Sequence, residues 1–236
     1  VSGASVTLSS NRGATDTITQ PVGVTDALGQ TTGTVVSTTS GDAVISAVAA
    51  GVGITQTATV TFVAGAPNAG ASTVGASPAT VVADGAASST ITVTVLDINN
   101  NPVQGATVTL NSSRGATDTL TQPVGVTDVN GQATGTVAST TAGSSVISAV
   151  ADGVAIAQTS TVTFVAGPVD SGSSIIVANP TNVLADGVAA STITITVLDA
   201  FNNPVSGASV TLSSNRGATD TITQPVGVTD ALGQNT

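Results

Sequence analysis

The sequence lacks seven of the twenty amino acids, and the missing ones include most of those that enzymes rely on. There is no Glu, Lys, His, Cys, Met, Trp or Tyr. Without His, Lys or Cys, the chain has no histidine-activated serine, no Schiff-base amine and no thiol nucleophile. Zinc sites built from Cys or His are excluded as well. Only Asp carboxylates and Ser or Thr hydroxyls remain as reactive groups, so the composition predicts a protein that is not an enzyme.

Positive charge is also scarce, which limits the partners of the chain. Three Arg stand against 13 Asp, and the net charge is -10 at pH 7. Such a chain has no basic surface for nucleic acid, and an anionic membrane surface repels it. Its longest nearly apolar stretch, residues 43–54, is shorter than the roughly 20 residues that a membrane-spanning helix needs. We therefore expect no nucleic-acid binding and no membrane insertion of this segment.

The residues that are present favour β-strands. Hydrophobic residues make up 40% of the chain, which is too many for an acidic disordered protein. Val and Thr are abundant, and their β-branched side chains favour strands over helices. The expected fold class is all-β.

A repeat of 102 residues organises the chain. Arg12, Arg114 and Arg216 lie in three copies of the segment RGATD at this spacing, and residues 1–30 are identical to residues 205–234. Self-similarity at a fixed period indicates a tandem array. We expect the sequence to be a section of a longer array.

Two short segments rich in Pro, Gly, Ala and Ser divide the chain. They are the predicted linkers, residues 66–73 and 168–174. One complete repeat lies between them, at residues 74–167. Residues 1–65 are then the C-terminal part of one repeat, and residues 175–236 are the N-terminal part of another.

Alternation of apolar and polar residues predicts about seven strands in the complete repeat. Ile91, Val93 and Val95, for example, alternate with threonines. The predicted strand segments are SPATVVADG, SSTITVTVLD, GATVTL, TQPVGVTD, QATGTVAST, SSVISAVADG and STVTFVAG. Turn residues close each segment, and this pattern is typical of two antiparallel sheets packed as a β-sandwich.

Three motifs of the complete repeat resemble those of bacterial Ig-like domains of the invasin/intimin type. They are ADG at residues 83–85, D-x-x-x-N-P-V-x-G-A-x-V at 97–108 and T-D-x-x-G-x-A at 127–133. The resemblance extends over essentially the whole chain through its three copies. It implies tandem Ig-like sandwiches in the stalk of a bacterial adhesin or surface fibre, located outside the cell. No receptor-binding tip is present in this sequence.

Loop aspartates are the candidate metal ligands. If the seven strands run alternately up and down, three loops lie at the pole where the preceding linker enters, and they hold Asp97, Asp128 and Asp152. The equivalent residues of the next copy are Asp199 and Asp230, and Asp170 lies in the linker itself. Ca²⁺ takes about six to eight oxygen ligands and would stiffen a domain junction. The alternative is that each Asp is the residue that a tight turn prefers, and no cofactor is then needed.

Two further features concern the surface. The spacing of Arg114 and Asp118 predicts a local ion pair, worth about 0–1 kcal/mol where it is exposed, in preference to a ligand-binding Arg. The edge strands carry little charge and have no Lys to block lateral pairing, so domains could associate side by side. The opposing expectation is that hydroxyl groups and the negative charge keep them separate.

These observations favour a non-catalytic stalk or spacer whose partners are the neighbouring repeats of the same protein. The alternative is a self-assembling extracellular filament or matrix protein, in which residues 175–204 of one chain complete residues 1–65 of another. Against it, residues 205–234 duplicate residues 1–30 and would compete for the same place. A glycan-binding module is the third interpretation, and the lack of Trp and Tyr argues against it.

Overall fold

The computed structural model describes residues 1–236, and nearly all of its regular structure is β. The strands are β1 (Val6–Ser10), β2 (Asp16–Thr19), β3 (Thr34–Ser37), β4 (Gly41–Ala49), β5 (Val52–Gly53), β6 (Ala58–Phe62), β7 (Thr73–Ser77), β8 (Thr80–Val82), β9 (Ser88–Thr94), β10 (Val108–Ser112), β11 (Asp118–Thr121), β12 (Gln132–Ser139), β13 (Gly143–Ala151), β14 (Val154–Ala155), β15 (Ser160–Val165), β16 (Ile175–Asn179), β17 (Thr192–Thr196) and β18 (Gln234–Asn235). Three single-turn 3₁₀ helices occupy Gly13–Thr15, Gly115–Thr117 and Gly217–Thr219. No helix is long and apolar enough to cross a membrane.

Two sheets form the complete domain. One has the strand order β11-β12-β9-β7, and the other has the order β10-β13-β15-β8 with β14 beside β13. All pairs are antiparallel except β15 with β8, which is parallel. The first strand is divided between the sheets, because β7 pairs with β9 and β8 pairs with β15. The predicted all-β sandwich is confirmed.

Besides the short strand β14, which was not predicted, the structure differs from the predicted strands in two places. In the segment TQPVGVTD the ladder ends at Thr121, and only an isolated bridge joins Val126 to Thr107. Pro123 has no N–H to donate, and Gly125 has a φ of 82°, so the chain leaves the extended conformation there. Strand β7 begins at Thr73, the last residue of the predicted linker, and alternation had not identified it as a strand.

The hydrophobic core lies within the complete domain. Its 18 buried residues all fall between Val74 and Phe164, and they come from both sheets. Ile91 and Ile147 are 0% exposed, because alternation directs their side chains into the space between the sheets. Residues 1–65 contain counterparts of β10 to β15 but not of β7 to β9, and their inner faces are only partly buried.

Candidate functional site at the domain junctions

Each junction is built on a tight turn that begins at a buried aspartate. Asp97 is 2% exposed. Its Oδ1 accepts hydrogen bonds from the backbone N–H groups of Asn99 at 2.8 Å and Asn101 at 2.9 Å. Its Oδ2 accepts one from Asn101 Nδ2 at 2.8 Å. Asn100 adopts a φ of 64°, a conformation that Asn tolerates better than most residues. The motif D-x-x-x-N therefore folds into a local turn with the Asp and Asn side chains joined.

The same two side chains reach the preceding domain. Asn101 Oδ1 accepts a hydrogen bond from the N–H of Ser40 at 2.8 Å, and Asn101 Nδ2 donates to the carbonyl of Thr38 at 2.9 Å. Asp97 Oδ2 also accepts from the N–H of Gly65 at 2.9 Å. We call the joined Asp and Asn side chains the Asp–Asn clasp. The loop that accepts it, residues 38–41, is the receiving loop.

The second junction repeats this arrangement with the clasp of Asp199 and Asn203. Asn203 Oδ1 accepts from the N–H of Ala142 at 2.7 Å, and its Nδ2 donates to the carbonyl of Thr140 at 3.0 Å. Asp199 Oδ2 accepts from the N–H of Gly167 at 2.8 Å and from Asn203 Nδ2 at 2.8 Å. The receiving loop here is residues 140–143. All the groups that it presents to the clasp are backbone atoms, so its side chains can differ between copies.

Hydrogen bonds keep the clasp aspartates charged. Burial by itself raises the pKa of Asp97, but the donors on Asn101, Gly65 and Asn99 outweigh it, so that the pKa lies below its usual value. The same balance lowers the pKa of Asp199, with Asn203, Gly167 and Phe201 N–H groups as its donors. Each carboxylate thus faces four N–H donors, two on each oxygen.

The other candidate aspartates bind nearby backbone N–H groups. The acceptor is Oδ1 in each case, and the donors are Asn130 and Gln132 for Asp128, Thr107 for Asp152, Ser173 for Asp170, and Leu232 and Gln234 for Asp230. No three acidic side chains lie close enough together to hold a metal ion. The structure thus shows the six candidates as acceptors of backbone N–H groups, and Ca²⁺ binding stays a prediction.

The asparagines of the clasp were not identified from the sequence. Their signal is present, because Asn101 and Asn203 stand four residues after the buried Asp in each copy of the motif D-x-x-x-N-P. The receiving loop carries no such signal. Its Ser40 lies 61 residues from Asn101 along the chain, and it contributes only backbone atoms.

The local ion pair predicted for the RGATD segment is present, and in the complete domain it is largely buried. The side chains of Arg114 and Asp118 are 15% and 0% exposed, and Arg114 Nε lies 3.2 Å from Asp118 Oδ1. The guanidinium lies 5.5 Å from the ring centroid of Phe164, which covers it. The 3₁₀ turn between the two residues brings them onto one side, and the sheet packing then shields them from water.

The sandwich, its repeated motifs and its junctions agree with one family. Bacterial Ig-like domains of group 1 match residues 71–165 and 173–236. The chain belongs to this family. The resemblance inferred from the sequence motifs is therefore confirmed, and the two matches meet at the second junction of these Ig-like domains.

Solved structures of bacterial surface proteins share the fold. Invasin, a bacterial integrin-binding protein, matches 88% of the chain at 27% identity and a TM-score of 0.56, and 42% of invasin is covered. InvD of Yersinia pseudotuberculosis matches 87% of the chain at 22% identity and a TM-score of 0.63, with 63% of InvD covered. The Escherichia coli adhesin FdeC matches 98% at 22% identity and a TM-score of 0.63, with 74% of it covered. The chain spans less than two thirds of invasin and of InvD. No curated protein sequence matches it significantly.

Proposed function

We propose that these Ig-like domains form a non-catalytic stalk segment of an extracellular bacterial adhesin or fibre. The observation that supports this best is the Asp–Asn clasp, which joins successive domains through the same contacts at both junctions. Membership of the family and the likeness to invasin support an adhesin as the setting. In this proposal residues 1–236 supply reach and stiffness, and ligand contact belongs to other domains of the same protein.

The junction is stiff because the chain is held on both sides of the linker. Linked domains move relative to one another unless a specific interface prevents it. Here the clasp fixes the receiving loop of the preceding domain, and the linker is itself tied to the following domain. Asn68 N–H donates to the carbonyl of Leu96 at 2.8 Å, and Ala157 N–H donates to the carbonyl of Ala69 at 3.0 Å. Few backbone torsions therefore remain free between the two sandwiches.

The absence of cysteine allows a direct test with spin labels. Exposed threonines at equivalent positions are replaced by cysteine, and the labels are attached to these cysteines. The pairs are T7C/T90C across the first junction and T109C/T192C across the second. Pulsed electron resonance then measures the distribution of distances within each pair. We expect one narrow distribution for each junction. The variant N101A removes the side chain that holds the first receiving loop, and it should broaden the first distribution only.

Two outcomes would count against the stalk. Broad distributions at both junctions of the unmodified chain would show that the domains reorient freely. A first distribution that stays narrow in N101A would show that the clasp does not determine the junction. Circular dichroism of each variant establishes that the sandwich is still folded.

A further inference from the structure

The receiving loop is held from two sides by two different domains. On one side, the carbonyl of Thr38 and the N–H of Ser40 bind Asn101 of the following domain. On the other side, Arg12 of the loop's own domain donates from Nη2 to the carbonyl of Thr39 at 2.8 Å and from Nη1 to the carbonyl of Ser40 at 3.3 Å. The Arg and the Asn thus bind alternate groups of the same short backbone segment.

The second junction has the same arrangement. Arg114 Nη2 donates to the carbonyl of Thr141 at 2.6 Å, between the two groups that Asn203 binds on Thr140 and Ala142. The loop also makes room for the guanidinium. Gly143 has a φ of 129°, and a Cβ at that position would lie 3.3 Å from Arg114 Nη1.

Each of these arginines is fixed from within its own domain. Arg12 Nε and Nη2 donate to Asp16 Oδ1 at 3.0 and 2.7 Å, and the guanidinium lies 5.4 Å from the ring centroid of Phe62. Its Nη2 also donates to Ser37 Oγ at 2.7 Å. A planar guanidinium presents its donors in a rigid fork, so these contacts determine where the loop carbonyl must lie.

The third arginine lies at neither junction. Arg216 Nε lies 3.4 Å from Asp220 Oδ1. It therefore supplies a control variant for both distance distributions.

We propose that Arg12 and Arg114 are positioning residues for the domain junctions: each holds the receiving loop of its own domain in the conformation that the next domain's clasp binds. The inference rests on the proposed stalk function. It adds that the stiffness of a junction is controlled from inside the preceding domain, by a residue that makes no hydrogen bond to the following one.

The test uses the same two spin-label pairs with three arginine variants. R114A should broaden the distance distribution at the second junction and leave the first unchanged. R12A should broaden the distribution at the first junction and leave the second unchanged. R216A should change neither distribution. If the distributions are narrow in the unmodified chain and stay narrow in R12A and R114A, the positioning role is wrong. The proposed stalk function is unaffected by that result. Broad distributions in the unmodified chain would instead overturn the stalk.

Two further variants separate positioning from stability. R114A leaves Asp118 buried without a cation and can unfold the domain, whereas R114A combined with D118N removes both charges. R114K keeps a charge beside Asp118, but its single ammonium lacks the fork that also reaches Thr141. We expect both variants to fold, as judged by circular dichroism, and to lose the narrow second distribution. A folded variant of either kind with an unchanged second distribution would show that Arg114 stabilises its own domain only.

Discussion

At the scale of single residues, the clasp carboxylates combine two tasks that are usually separate. Asp97 closes its own turn through Oδ1 and binds the preceding domain through Oδ2. A neutral side chain of the same shape cannot accept from all four donors, because an amide offers one oxygen where a carboxylate offers two. Turn formation and domain docking therefore depend on the same ionised group.

The variant D97N should loosen the first junction and lower the free energy of unfolding. Buried N–H groups that lose their acceptor cost about 1–3 kcal/mol. Chemical denaturation and the first-junction distance distribution measure the two effects. D42N is the matched control, because Asp42 is exposed and accepts a hydrogen bond only from the side chain of Thr61. Equal behaviour of the two variants would contradict a special role for Asp97.

The first junction should also depend on pH. The pKa of Asp97 is lowered in the folded chain, so the contribution of its carboxylate to stability is fully present above the unfolded-state pKa of about 4. That contribution is lost as the pH falls through the lower, folded-state pKa. We expect a narrow first distribution at neutral and mildly acidic pH, and broadening only in stronger acid. D97N should lack this transition, and a transition that persists in D97N would assign it to another group.

At the scale of elements, strand β12 approaches its neighbours too closely for a side chain at Gly135. A Cβ there would lie 2.6 Å from Leu110 Cδ1 and would also collide with the carbonyl oxygen of Thr121. We expect G135A to lower the stability by about 1–3 kcal/mol, the usual cost of overpacking. G75A is the control, because the nearest atom to its Cβ is the carbonyl of Thr92 at 3.8 Å. Denaturant melts of both variants measure the difference, and similar midpoints would refute the steric argument.

Edge strand β10 is covered by a side chain, which the low charge of the edges did not suggest. Gln122 Oε1 accepts from the N–H of Leu110 at 2.7 Å, and Gln122 Nε2 donates to its carbonyl at 2.9 Å. Gln20 and Gln224 make the same pair of contacts in the other copies. The amide thus occupies a backbone position that an approaching strand would otherwise bind.

Removing this cover should promote association. We expect Q122L to self-associate at concentrations where the unmodified chain does not, because it frees the outward N–H and C=O of Leu110. Sedimentation velocity at increasing protein concentration detects the change. Q132L is the control, since the side chain of Gln132 makes only a long contact of 3.5 Å, from Nε2 to Thr94 Oγ1. Identical sedimentation of the two variants would show that Gln122 does not protect the edge.

Local sequence patterns predicted most of the strands, but they did not predict the contacts between domains. Alternation identified β9 and β12, because their side chains face core and solvent in turn. It failed for residues 122–128, where Pro123 and Gly125 break the ladder within a segment of strand length. The motif around Asp97 indicated a turn, but the atoms that the turn binds at Thr38 and Ser40 belong to the backbone of a distant loop. Side-chain identity does not encode such partners.

At the scale of the whole molecule, burial is concentrated in one domain. The core cluster lies within Val74–Phe164, while the only buried apolar side chains of residues 1–65 are Ala4 and Ala43. Residues 175–236 bury Ile195 and Val197. Within residues 1–236, most of the buried apolar surface therefore belongs to the complete domain.

Hydrogen exchange should reproduce this distribution. We expect the slowest amide exchange in β9, β12 and β13, whose opening requires disruption of the shared core, and faster exchange in β1 to β6 and in β16 to β18. Mass spectrometry of peptides after timed deuteration measures it on the intact chain. Equal protection in all three parts would indicate that the junctions, and not the cores, carry most of the stability.

The equivalence of the two junctions has a geometric consequence. If each domain is placed on the next by the same contacts, a single screw operation relates all neighbours. An array built by that operation lengthens in direct proportion to the number of domains, whereas a freely jointed chain lengthens roughly as the square root of that number. Duplicating a repeat within such an array would then be a change of length alone, with no change of direction or surface.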